Sequence, residues 1–171
     1  HATLDDETSF TFIELPLQDI VQQLSTQHDI PMVIDRRALE EIGLSPDCPL
    51  SLSLHRVSLR SALRLLLREL DLTYANQDEV LMVTTHEQAE QNLKPRIFAL
   101  PSGLADKAEK VVEAMQRTIH SDMWESAGGP CAAAAVDHVI IVSGTDALHE
   151  DVADFLDKLS VAFEPKAKSV R

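Results

Sequence analysis

Residues 57–74, VSLRSALRLLLRELDLTY, form the most regular apolar stretch of the chain and decide its fold. Ser58 can begin a helix, because its hydroxyl can accept a hydrogen bond from an amide of the first turn. Asp71 favours a turn, and strand-like residues follow at 72–74 and 80–84. The stretch therefore predicts a helix that leads into a hairpin. The apolar side chains that recur at helical spacing predict its buried face, and they are Leu59, Ala62, Leu63, Leu66, Leu67 and Leu70.

The chain before this helix predicts three strands and a longer helix. Residues 10–13 and 32–34 are rich in β-branched and aromatic types, and residues 50–54 alternate strictly between Leu and Ser. Pro16 suits the first turn of a helix, whose apolar stripe is Leu17, Ile20, Val21 and Leu24. A short helical segment is predicted at 36–43. The polar, acidic residues 1–8 predict a frayed end.

The chain after residue 95 predicts a second set of elements. Strands are expected at 96–100, 131–136 and 138–143, and helices at 105–119 and 146–160. The alanine run at 131–136 is ambiguous, because alanine favours helix by propensity. Its position between a Gly-Gly-Pro break and the next strand favours an extended segment, and we choose the strand.

These orders predict an α+β fold of two small modules, with helices packed on small mixed sheets. The first module has the order β-α-β-β-α-β-β and the second has the order β-α-β-β-α. Charge is divided in the same way, since residues 1–93 carry 16 acids and 6 bases whereas residues 94–171 carry 12 and 9. The expected boundaries are a first module at 9–86, a linker at 87–95, a second module at 96–163 and a tail at 164–171.

The net charge of −13, from 15 basic and 28 acidic residues, limits the classes of partner. Such a field repels the phosphates of nucleic acids and anionic membrane surfaces. No apolar run reaches the roughly 18 residues that a membrane span needs, so direct membrane insertion is not expected. The chain begins with His1 rather than Met, which indicates a fragment or a processed product.

The succession of elements in the first module carries a family resemblance. It opens with Phe-Thr-Phe-Ile at 10–13 and continues with Met-Val-Ile-Asp at 32–35 and Leu-Ser-Leu-Ser-Leu at 50–54. Val-Ser-Leu at 57–59 then precedes the Ala-Leu helix, and Leu-Asp-Leu-Thr-Tyr at 70–74 precedes the hairpin. In this order residues 10–85 resemble the short N-terminal domain shared by secretins and TonB-dependent transducers.

The second module resembles the next, ring-building domain of secretins. The best part of that match is Ile-Ile-Val-Ser-Gly-Thr at 140–145 before a helix. The whole chain also resembles long hypothetical proteins of planctomycete-like bacteria, on the helix at 62–70 and on the Trp-Glu and Gly-Gly-Pro loop at 124–130. The resemblance implies an interaction module in an extracytoplasmic compartment, the periplasm or cell envelope. It implies no enzyme activity and no cofactor.

Two features are candidates for binding a partner. Arg60, Arg64 and Arg68 recur every fourth residue and line one ridge of the central helix, which could bind an acidic segment. The alternative is the ordinary solvated side of an amphipathic helix. Trp124, the one tryptophan, could anchor a partner. The alternative is that it packs its loop onto its own domain.

No catalytic, cofactor-binding or metal-binding constellation is predicted. The seven histidines show no zinc spacing with each other or with cysteine. Residues 143–144 lack the glycine pattern of a nucleophile elbow, and residues 128–130 lack the Lys-Ser/Thr of a phosphate loop. Cys48 and Cys131 are expected to be two thiols rather than one bridge, with Cys48 in an exposed loop.

The expected function is therefore a non-enzymatic protein–protein interaction or assembly module, whose partner is another protein or a second copy. A partner strand could also add to an edge of either small sheet. The first alternative is a small-ligand-binding protein or an enzyme with a site between the modules. The second is a KH-like nucleic-acid binder, which is disfavoured because the chain lacks the required Gly-X-X-Gly loop.

Overall fold

The computed structural model describes residues 2–164, with side chains from residue 4 onward. The chain divides into two compact units, residues 1–91 and residues 92–171, and each is described by itself. The part of the predicted tail beyond residue 164 lies outside the described residues. None of the helices within residues 2–164 has the length and apolar character needed to cross a bilayer.

The first unit contains five strands and four helices within its described part. They are β1 (Glu7–Pro16), α1 (Leu17–His28), β2 (Met32–Ile34), α2 (Arg36–Glu41), β3 (Pro49–Ser58), α3 (Leu59–Arg68), β4 (Leu72–Gln77), β5 (Val80–Thr85) and α4 (His86–Glu90). The second unit contains β6 (Lys94–Ala99), α5 (Ala108–Thr118), β7 (Ala132–Val136), β8 (Val139–Gly144) and α6 (Asp146–Phe163). This architecture confirms the predicted α+β fold.

Helix α3 forms the centre of the first unit, as its leucine pattern predicted. The Ser58 hydroxyl accepts a hydrogen bond from the Ser61 amide at 3.2 Å and caps the helix. The apolar face is removed from solvent, with Leu59, Ala62, Leu63 and Leu66 at 0% exposure and Leu67 at 1%. Burial of this face stabilises the unit, since the favourable free energy scales with the apolar area removed from water.

The sheets of the first unit are small and of two kinds. One has the order β2-β5-β4, in which β2 runs parallel to β5 and β4 runs antiparallel to it. This is the mixed sheet that the element order predicted. The other is a separate antiparallel ribbon of β1 and β3, whose stacked rings Phe10 and Phe12 enter the core.

The β1–β3 ribbon contains two bulges, one in each strand. Each holds a residue in the left-handed region, Glu14 at φ 48° in β1 and Arg56 at φ 54° in β3. Their backbone amides donate to serine hydroxyls of the opposite strand, Glu14 to Ser51 at 2.8 Å and Arg56 to Ser9 at 2.9 Å. Thr8 pairs with Val57 before the bulges and Leu15 with Leu50 beyond them, so the two register shifts cancel. A bulge inserts one extra residue into one strand, and here each strand supplies one.

The start of the chain corrects the prediction of a frayed end at residues 1–8. A 3-10 turn at Ala2–Asp5 places Leu4 in the core at 4% exposure, and β1 already begins at Glu7. The Asp6 carbonyl accepts a hydrogen bond from the Leu59 amide at 2.9 Å. Local polarity suggested fraying, whereas one buried leucine and this bond to α3 hold the segment. His1 lies outside the described residues.

The second unit has one antiparallel sheet of order β6-β8-β7. Helices α5 and α6 cover one face of it, and the core between them includes Phe98, Ile140, Val142, Met115 and Val152. The alanine run forms strand β7, which confirms the choice made from its position. Pairing with β8 outweighs the helical propensity of alanine, because propensity is a weak term beside tertiary contacts.

Candidate partner-binding surfaces

The arginine ridge lies along α3, and its three members differ in environment. The Arg60 side chain is 22% exposed and its Nε lies 3.1 Å from Oδ1 of Asp5, while Arg64 is half-buried. Arg68 is exposed in the last turn of the helix. The start of the chain, which was predicted to fray, thus supplies the acidic partner of Arg60. This ion pair contributes little to stability because Asp5 is exposed. Arg56, four residues before Arg60 in the sequence, lies in β3 and pairs with Glu7.

Trp124 lies in the interior of the second unit at 0% exposure. Its indole Nε1–H donates to the Ile119 carbonyl oxygen at 2.6 Å, and its own carbonyl accepts from the amides of Ala127 and Gly129. The side chain therefore packs its loop onto its own domain, the alternative given above. We assign Trp124 to the core and not to a contact surface.

Cys48 and Cys131 are both reduced thiols. Cys131 is buried, and Cys48 is partly buried against the core of the first unit, which corrects its expected place in an exposed loop. Burial raises the pKa of the Cys48 thiol, with a further rise from nearby Asp47 and an opposing backbone hydrogen bond. A high thiol pKa means little thiolate at neutral pH and low nucleophilicity. Among residues 2–164, no three His, Cys, Asp or Glu side chains are grouped to hold a metal ion.

His149 is a buried titratable group of the second unit, at 3% exposure near the start of α6. Its Nε2–H donates to the Val142 carbonyl oxygen at 3.0 Å, and its ring lies beside Phe98. Burial lowers the pKa of His149 below its ordinary value of 6.5; Arg96 lowers it further, whereas the Val142 bond and Asp146 oppose the shift. The imidazole is therefore held neutral as a structural donor.

We expect the stability of the second unit to fall as pH drops below about 6.5. The folded pKa of His149 lies below the unfolded one, so the unfolded chain binds the proton more readily and acid favours unfolding. The contribution of the neutral His149 to the free energy of unfolding is fully present at pH values above the unfolded pKa. It is lost as the pH falls from the unfolded pKa towards the folded pKa. Urea unfolding followed by Trp124 fluorescence at pH 7.5 and pH 5.5 measures this loss. The control is His149→Gln, which can still donate to Val142 but does not titrate, and an equal pH dependence in both proteins would contradict the prediction.

The sheet face opposite α5 and α6 carries no charge and no buried residue. We call it the open face; its nine positions are Pro95, Ile97, Ala99, Ala132, Ala134, Val136, Val139, Ile141 and Ser143. Ile97 is 66% exposed and Val136 is 50% exposed. Eight of the nine side chains are apolar. A contiguous apolar surface of this kind marks an interaction site more often than scattered apolar side chains do.

Sequence reasoning did not single out the open face, although a signal was present. Residues 139–142 are apolar at every position, whereas a strand with one solvated face should alternate. Such a run indicates either a strand that is covered on both faces of its sheet or a strand that exposes an apolar face to solvent. The same reading applies to Ile97 beside Phe98 in β6, where both side chains are apolar and only Phe98 is buried.

Three solved structures similar to the chain are of the class that the sequence resembles, secretin N-terminal domains. A chain from the InvG N0N1–SpaPQR–PrgHK assembly of the Salmonella SPI-1 injectisome is 10% identical, with 91% of this chain and 95% of that chain covered at a TM-score of 0.38. The N-terminal domain of the secretin XcpQ from Pseudomonas aeruginosa is 14% identical, with 91% and 66% covered at 0.33. The competence pilus secretin PilQ of V. cholerae is 13% identical, with 89% and 38% covered at 0.37.

The chain thus spans just under two thirds of the XcpQ structure and little more than a third of PilQ. No protein-family model matches the sequence, and no curated protein is a significant match.

Proposed function

We propose that this chain is a non-enzymatic module that docks another protein in an extracytoplasmic compartment of a bacterium. The observation that carries the proposal is the open face of the second unit, nine uncharged positions with Ile97 and Val136 at least half exposed. An apolar surface of this extent favours association, because covering it removes apolar area from water.

The expected interface energy is modest. Covering an exposed Ile or Val side chain completely contributes on the order of 1.5–3 kcal/mol. Association costs several kcal/mol in lost translational and rotational freedom. A few such side chains therefore support a specific but reversible contact, which suits an assembly module better than a permanent dimer.

The compartment and the class of partner follow from the sequence resemblance to secretin N-terminal domains, which act in the cell envelope. The net charge of −13 supports a protein partner and not a nucleic acid or an anionic membrane surface. The arginine ridge of α3 is a second proposed contact. Its exposed member Arg68 is the one to test, by Arg68→Glu.

The test is capture followed by reconstitution. The purified chain is used to capture proteins from the envelope fraction of the organism that encodes it, and the captured protein is purified and returned to the chain in sedimentation velocity. We expect a complex of defined stoichiometry, weakened at least tenfold by Ile97→Asp and unchanged by Val33→Asp, a matched exposed position in the first unit. Absence of any reconstituted complex would overturn the proposal, and measurable turnover of a small-molecule substrate would then favour an enzyme.

A further inference from the structure

The two outer strands of the second sheet differ in how they are protected. β6 carries Lys94, Pro95 and Arg96, and charge and proline are the usual means by which natural proteins block pairing at a sheet edge. β7 reads Ala-Ala-Ala-Ala-Val, with neither charge nor proline. A partner strand can therefore approach β7 without displacing a bulky or charged side chain.

The ladder shows which backbone groups of β7 point outward. The Leu100 amide donates to the His138 carbonyl at 2.9 Å, which extends the β6–β8 pairing, so even-numbered residues of β8 face β6 and odd-numbered ones face β7. The β7 partners of the odd-numbered residues point back at β8, and they are Ala132, Ala134 and Val136. The N–H and C=O groups of Ala133 and Ala135 therefore point away from the sheet.

At residue 131 another segment of the chain already forms main-chain hydrogen bonds on this outer side. The Cys131 amide donates to the Met123 carbonyl at 2.8 Å, and the Cys131 carbonyl accepts from the Glu125 amide at 2.7 Å. This parallel bridge between Trp124 and Cys131 ends after one residue. Among the described residues no strand continues it along Ala133 and Ala135.

The surroundings of β7 indicate what the incoming segment should carry. On one side it would extend the open face beside Ala134 and Ile141, which favours apolar side chains at alternate positions. On the other side lies a depression of about 320 Å³ between β7 and the start of α5. Acids outnumber bases in its lining, which includes Asp106, Glu109 and Asp137 against Lys107 and Lys110.

We infer that an extended segment of a partner protein, apolar at alternate positions and basic at its ends, adds to the outer edge of β7 as a fourth strand. The basic ends suit the acidic lining and the net charge of −13. The same charge opposes a second copy as the occupant, because two chains of −13 repel. Main-chain hydrogen bonds at Ala133 and Ala135 give affinity, and the alternate side chains give specificity. The inference rests on the proposed docking function and names the site within it.

A pair of proline substitutions tests the site. In Ala135→Pro the lost N–H points outward, so the β7–β8 ladder keeps its bonds, and proline is tolerated at such edge positions. In Ala134→Pro the lost N–H faces Ile141, so the ladder is broken. We expect the urea midpoint of Trp124 fluorescence to stay near the wild-type value in Ala135→Pro and to fall clearly in Ala134→Pro. Equal loss in both would contradict the assigned backbone directions.

Binding is measured with a fluorescein-labelled peptide of sequence Lys-Val-Thr-Val-Thr-Val-Lys. We expect saturable anisotropy changes with the full chain, at least tenfold weaker binding to Ala135→Pro, and weaker binding of the same peptide with Glu at both ends. Two further peptides carry N-methyl groups on alternate amides, one on the amides that would face β7 and the other on the amides that would face solvent. The first should not bind and the second should bind as before. This result does not depend on the folding of any protein variant.

Each other outcome overturns the inference. Equal binding of the peptide by wild-type and Ala135→Pro chains, or no binding at all, excludes strand addition at β7. Concentration-dependent dimerisation that Ala135→Pro abolishes, without peptide binding, makes a second copy the occupant. If a reconstituted envelope partner binds wild-type and Ala135→Pro chains equally, the inference fails while the proposed function stands. If no partner binds the chain, the proposed function itself fails.

Discussion

Replacing Leu66 by Ala should lower the free energy of unfolding of the first unit by about 2–5 kcal/mol. Leu66 has 0% exposure on the apolar face of α3, among the residues that hold the ribbon and the mixed sheet together. The substitution removes buried methyl groups and leaves a cavity that the surrounding side chains fill only in part. Such a loss is a large share of the stability of a small domain.

Urea denaturation followed by far-UV circular dichroism measures this loss, with amide hydrogen exchange of α3 as the local readout. The matched control is Arg68→Ala, an exposed position on the same helix, which should stay within about 0.5 kcal/mol of wild type. If Leu66→Ala unfolded at the wild-type midpoint, the assignment of α3 as the core helix would be wrong.

Replacing Gly129 by Ala should destabilise the second unit by about 3 kcal/mol, the upper part of the usual range for overpacking. A Cβ at this position would overlap the backbone of Met123 and of Asp122. Backbone atoms cannot move aside as the end of a flexible side chain can. The Gly129 amide also donates to the Trp124 carbonyl at 2.9 Å, so a displaced loop would disturb the buried indole.

Gly128→Ala is the control for this prediction, because Gly128 has φ 86° and nothing within 4 Å of an added Cβ. Its cost is conformational alone, about 1–2 kcal/mol for a left-handed residue. The fluorescence of the one tryptophan reports both variants during urea unfolding. If Gly129→Ala lowered the free energy of unfolding less than Gly128→Ala, the 122–130 loop would be able to relax around the added Cβ. The close approach of Gly129 to the backbone of residues 122 and 123 would then not fix the loop.

The helix α3 and the strand β7 could be predicted for different reasons. Five of the six apolar positions predicted for this helix are buried in α3, and Leu70 lies partly buried just beyond its end, so the local pattern and tertiary burial agree closely there. For β7 the local propensity of alanine pointed to helix, and the neighbouring Gly-Gly-Pro break decided the matter. The place of this segment in the chain thus predicted its structure better than its composition did, because strand pairing with β8 outweighs the helical propensity of alanine.

The parts that were missed depend on contacts between distant residues. The start of the chain reads as polar, and its order comes from Leu4 entering a core built around α3. The outward-pointing backbone groups at the outer edge of β7 depend on which residues of β7 bond to β8. The alanine run has no alternation of side chains from which this pairing could be predicted. The two site candidates, one taken from residue type and one from helical spacing, also depend on such contacts: Trp124 is internal, and Arg60 is paired with Asp5.

The cancelling bulges of the β1–β3 ribbon have a consequence for how this chain tolerates changes in length. Each bulge places one extra residue opposite a single partner, so deleting Glu14 alone, or Arg56 alone, would make the ladder regular at that point and leave the pairs on both sides of it unchanged and facing the same way. Deleting both would give a regular ladder with the same pairs at its two ends. Among descendants of this sequence either position can therefore be lost without the other, and the serine that binds the lost amide, Ser51 or Ser9, should then be free to change.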